Sequence, residues 1–150
     1  MSRFFVLFAA MLLLTAGQTV AQDDTASSDV EFLGPFADFP FSEAVRVGNT
    51  LYLSGQIGID PATGKHPEGG IQPETRQTLV NIQTVVEKYG STMDQVVKCT
   101  VMLADIAEWP AMNEVYKTFF PNNKPARSAF AGTGLALNSR VEIECIAVVE

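Results

Sequence analysis

Histidine occurs once, at His66, and cysteine only twice, at Cys99 and Cys145. No cluster therefore has zinc-ligand spacing, and no Ser-His-Asp or Cys-His pair is in prospect beyond His66, which sits in a Pro/Gly loop and reads as solvated. The chain also has no Gly-rich phosphate loop of Walker or Rossmann type; the Gly132-x-Gly134 pair lies before a strand and matches neither. Basic residues are scarce, 10 against 17 acidic ones, for a net charge of −7. That balance argues against nucleic acid as a partner, because non-specific binding needs a Lys/Arg surface to displace phosphate counterions. Long apolar runs are missing as well, apart from one at the start of the chain.

That run, residues 4–16, is apolar except for Thr15, follows Arg3, and precedes small residues at Thr19 and Ala21. A charge, a short apolar core and a small-x-small site make the pattern of a secretory signal peptide over residues 1–21, cleaved after Ala21. The expected destination is export, periplasmic or secreted, with no stable membrane anchor after cleavage. An uncleaved anchor is the alternative, but a bilayer span needs about 20 apolar residues. Residues 22–38 read as a disordered or extended lead-in and residues 39–150 as one domain. At 47% hydrophobic residues, the chain can fill a core.

Within the domain, Val45, Val47, Leu51 and Leu53 alternate around Gly48-Asn49, the pattern of a hairpin. A helix follows with Leu79, Ile82, Val86 and Tyr89 on one stripe, Pro73 in its first turn and Gly90 at its stop. "VVKCTVML" is a β-branched strand, and a second helix repeats the stripe at Trp109, Met112, Tyr116 and Phe119. Residues 127–131 and 141–149 close the chain as strands. The order is ββαβαββ, an α+β fold in which two helices cover one face of a mixed sheet. The other face needs a cover, and further copies of the chain are the economical one. Cys99 and Cys145 both fall in strand runs, and the favoured reading is two small buried hydrophobes; export leaves a disulfide open.

Arg127, in "KPARSAF", is a permanent cation whose planar fork suits a carboxylate. It can equally be a structural ion-pair partner of Glu142 or Glu144. Glu142 has the same two readings: an ion pair, or a carboxylate that handles a water and its proton. Ser54-Gly55 ends the second hairpin strand, where a glycine lets a ligand approach the backbone, or merely makes a bulge.

"YLSGQIGIDPATGK", "ETRQTLVNIQTVVEKYG", "VVKCTVMLAD", "MNEVYKTFF", "KPARSA" and "VEIECIAVV" together resemble the RidA/YjgF family of enamine/imine deaminases, in the family's order over residues 39–150. The resemblance implies a chorismate-mutase-like fold, a homotrimer with clefts between subunits, and hydrolysis of small 2-imino or 2-enamino acids such as 2-aminoacrylate to keto acids and ammonia, with no metal or organic cofactor. It implies that Arg127 holds the substrate carboxylate and Glu142 orients the attacking water. Ser54, Gly55, Phe41 and Asn113 would line the pocket. Phe41 stands where many relatives have tyrosine, and Ala129 where many have cysteine. The resemblance leaves a non-catalytic trimeric module that binds small carboxylates as an alternative, and the family also carries the labels of endoribonuclease, translation inhibitor and redox-activated chaperone.

Overall fold

A computed structural model describes residues 30–35 and 39–150; the signal-peptide reading and the segment 22–29 lie outside them. The elements are β1 (Val30–Pro35), β2 (Ser42–Val47), β3 (Thr50–Leu53), β4 (Gln56–Ile57), α1 (Ile71–Lys88), β5 (Val96–Leu103), α2 (Trp109–Phe119), β6 (Ala126–Ala131) and β7 (Val141–Val148). The sheet runs β1-β2-β3-β7-β5-β6, with β4 also paired to β7. Among the described strands, only β5 and β6 pair in parallel, joined through α2 by the crossover that a parallel pair requires.

Two strands exceed the expected ββαβαββ. β1 lies in the stretch read as a disordered or extended lead-in, yet Phe32 and Leu33 pair in register with Val45 and Ala44, so the sheet begins ahead of residue 39. β4 is a two-residue strand after Gly55, too short for alternation to reveal it.

The hairpin turns at Gly48, at φ +55°, a conformation that costs glycine nothing. Helix α1 ends at Gly90, at φ +83°, and the Gly90 and Ser91 amides donate back to the carbonyls of Glu87 and Val86. This closes the last turn. Leu79, Ile82 and Val86 of α1 and Met112 and Tyr116 of α2 are buried in one cluster with Leu51, Val101 and Ile143 of the sheet. Each such side chain contributes roughly 1.5–3 kcal/mol by leaving water. Among the described residues, no helix is long and apolar enough to cross a membrane.

Strand alternation decides what faces what. Val141, Ile143, Cys145 and Ala147 are buried under the helices, while Glu142, Glu144, Ile146 and Val148 point to the other face. Across that uncovered face, Phe32, Val45, Tyr52, Ile146 and Lys98 follow one another in register from β1 to β5. Phe32 is 68% exposed, Tyr52 46% and, farther along, Phe130 50%.

Two expectations change. Cys99 and Cys145 are not separate hydrophobes: they are direct partners in the β5–β7 register, their Cα atoms 4.2 Å apart, and they form a disulfide in the core. Reading the strands separately could not give the register that brings them together. His66 is not a solvated loop residue either. Its Nε2 lies 3.2 Å from the Leu137 carbonyl oxygen and its Nδ1 3.6 Å from the buried Glu74 carboxylate, which also accepts the Arg140 amide. It ties the loop before α1 to the loop before β7.

Candidate active site

Arg127 lies on the edge strand β6, opposite Cys99 in the parallel register. Paired residues share a face, so Arg127 is on the helix side. One guanidinium nitrogen donates to Asn113 Oδ1 at 2.8 Å. The guanidinium carbon sits 4.5 Å from the centre of the Tyr116 ring and 5.6 Å from that of Trp109, within cation–π range. Tyr116 is buried, and burial pushes its phenol up to about 12 against the opposing pull of the Arg127 charge. The phenol therefore remains protonated at any physiological pH. Among the described residues no carboxylate pairs with Arg127, which removes the structural ion-pair reading. The cation is held on three sides by neutral groups and lines a cavity of about 310 Å³ with Asn113, Tyr116, Phe120 and Lys124.

Glu142 occupies the opposite face of the sheet. It is three residues from Cys145, whose side chain faces the helices, and its register partners are Ile57 and Met102. Its carboxylate has neither hydrogen bond nor ion pair among the described residues. Burial pushes its pKa above the usual carboxylate range, and the neighbouring charge of Glu144 adds to the rise. A carboxyl poised upward in this way accepts a proton more readily than an ordinary one.

Gly55 explains how Glu142 reaches its place. A β-carbon at Gly55 would fall 2.2 Å from Glu142 Oε1, so the carboxylate lies directly on the glycine backbone. Close approach, rather than a special backbone angle, is what the glycine provides. Ser54 is less free than its position suggests. Its hydroxyl donates to the Ser42 carbonyl at 2.6 Å and its amide to the Glu43 carbonyl, which pins the end of β3. Phe41 is half exposed beside Phe39, ring centres 5.3 Å apart, and with Gly55 and Ile57 lines a second cavity of about 450 Å³.

The expected site residues thus form two groups. Phe41, Ser54, Gly55 and Glu142 lie around β3, β4 and β7; Arg127 and Asn113 lie at the β6–α2 edge. They are not brought together within one chain. Sequence reading passed over Tyr116 and Trp109, counted only as part of an apolar stripe; that Tyr116 follows Asn113 by three on one helix face was the available signal. Among the described residues, no group of His, Cys, Asp or Glu side chains could hold a metal ion.

Residues 34–149 match the family model described as Endoribonuclease L-PSP. A 2-iminobutanoate/2-iminopropanoate deaminase of Mus musculus is 45% identical over 114 residues, 76% of this chain and 84% of the relative. RidA of a Psychrobacter species superposes with a TM-score of 0.71 at 37% identity, covering 77% of this chain and 94% of that one. TdcF of E. coli, solved with bound serine, gives 0.72 at 32% identity over 79% and 94%. With nearly the whole described domain matched in sequence and superposed on solved structures, this chain belongs to the Endoribonuclease L-PSP family, the RidA/YjgF family.

Proposed function

We propose that this protein hydrolyses 2-imino and 2-enamino acids to 2-keto acids and ammonia, in clefts formed between copies of the chain. The observation that carries the reading is the pair of unneutralised opposite charges: Arg127, held by Asn113 and two aromatic rings, and Glu142, desolvated against Gly55. Arg127 receives the substrate carboxylate in a bidentate pair and fixes the position of the neighbouring imine carbon. Glu142 takes a proton from a water as the water oxygen bonds to that carbon, and the C=N π electrons become a lone pair on nitrogen. That proton passes to nitrogen, leaving a carbinolamine. Glu142 then takes the hydroxyl proton and delivers it to the amino nitrogen, the C–N bond breaks as the C=O bond forms, ammonia leaves, and the water oxygen remains as the ketone oxygen. An imine carbon is already electrophilic, so a covalent nucleophile is unnecessary.

Because the two charges sit on opposite faces of one sheet, a substrate touching both must lie between two copies. The uncovered face, with Phe32, Tyr52 and Phe130 exposed, supports assembly through that side, and a closed homotrimer is the assembly proposed. Export after cleavage at Ala21 is the proposed location. The Cys99–Cys145 disulfide supports it, since such bonds persist in oxidising compartments.

The test generates 2-iminobutanoate in situ with an amino-acid oxidase and follows keto-acid and ammonia release. The protein should accelerate release, and Arg127→Ala should abolish the acceleration without altering the assembly. Keto-acid binding in a calorimeter without any hydrolysis would instead select a binding module. RNA cleavage that survives Arg127→Ala would select the nuclease suggested by the family model's description.

A further inference from the structure

The cavity of about 450 Å³ beside Gly55 has a wall made mainly of Phe39, Phe41, Ile57, Ile59, Pro61 and Val85. Of its polar side chains, Glu43, Asn81 and Thr84 are committed to protein partners, and Gln56 donates to the Ser54 carbonyl at 3.4 Å. Glu43 accepts hydrogen bonds from Lys88 Nζ and the Tyr89 hydroxyl. Burial raises the Glu43 carboxyl, but these two bonds outweigh it and hold the group below its ordinary pKa, so its charge is already compensated. Asn81 donates to the carbonyls of Ile57 and Ile59, and the Thr84 hydroxyl to that of Val80. What the wall offers a ligand is therefore chiefly apolar surface.

The cavity also adjoins the reacting group. Gly55 lines it and touches the Glu142 carboxylate, and Ile57, which lines it too, is the register partner of Glu142 on the same face of the sheet. A cavity of this size accommodates a drug-sized group. The methyl or ethyl side chains of the shortest 2-imino acids would leave most of it wet.

We propose that this cavity receives the substrate side chain, and that the protein acts preferentially on 2-imino acids with bulky apolar or aromatic side chains. The inference rests on the hydrolase reading above and names its substrate class. A dicarboxylic substrate would bring a second charge against a wall that, among the described residues, holds no cation to meet it.

The experiment compares kcat/KM of the full-length processed protein for 2-imino-3-phenylpropanoate, 2-imino-4-methylpentanoate, 2-iminobutanoate and 2-iminosuccinate, each made in situ by an oxidase and trapped with semicarbazide. The two bulky apolar substrates should exceed 2-iminobutanoate by about tenfold or more. Thr84→Phe, a change at an exposed helix position that narrows the cavity, should lower the ratio of phenyl to ethyl substrate by about tenfold. Equal or inverted preference in the unaltered protein overturns the inference, as does 2-iminosuccinate proving best, or a ratio that Thr84→Phe leaves unmoved. In each of those outcomes hydrolysis itself survives. Inactivity toward all four substrates overturns the hydrolase reading and this inference with it.

Discussion

Arg127 is engaged by a hydrogen bond and by ring faces but, among the described residues, by no carboxylate, so its charge is reserved. Lysine would keep the charge and lose both the fork and the flat stacking surface. Arg127→Lys is expected to lower kcat/KM by about 10- to 100-fold with the circular dichroism spectrum unchanged. Gly55 gives a separate handle on the opposite group. Its backbone angle suits any residue, and an added methyl would collide only with the flexible end of Glu142. Gly55→Ala should therefore leave the melting temperature nearly unchanged while kcat falls, since the carboxylate must move; an equal loss of both would show a packing role instead. Glu142→Gln should cost about 100-fold or more in kcat/KM. Its effect on stability has a sign set by the raised pKa. A carboxyl raised by folding favours the fold below its ordinary range, and that contribution is lost as pH rises through the raised value. The glutamine variant should thus melt slightly above the parent at pH 7 and lose that advantage at low pH. The difference is small because part of the carboxylate still meets water.

At the scale of elements, the β5–β7 ladder joins the two strands of the core through Cys99 and Cys145. The bond joins positions at a sequence separation of 46 and closes a loop that contains α2 and β6. Replacing both cysteines with alanine should lower the free energy of unfolding by about 2–4 kcal/mol, measured by urea titration. The same ladder shows what could be read beforehand. The alternation of Val141, Ile143, Cys145 and Ala147 was enough to assign a buried face, because period-two burial is local information. The cysteine pairing was not legible, because register is set by packing between distant segments. β1 escaped notice for a related reason: Val30, Phe32 and Leu33 are too few to stand out beside the polar residues before them, and only the β2 edge gives them a partner. Of the site, the identities of Arg127, Glu142 and Gly55 came from motifs. The rings that hold Arg127, and the closeness of Gly55 to Glu142, needed the fold.

For the whole molecule, the uncovered sheet face predicts association. Sedimentation should give the mass of three copies, and Phe130→Asp, a charge placed on an exposed apolar position of that face, should dissociate them and abolish activity together. The placement of Arg127 and Glu142 on opposite faces of one sheet has a genetic consequence. A protein carrying Arg127→Ala and another carrying Glu142→Gln should each be dead alone. Refolded together in equal amounts, they should regain roughly a quarter of the parental activity, from clefts that draw an intact residue from each parent. Two null alleles of this gene, placed in one cell, would then complement each other.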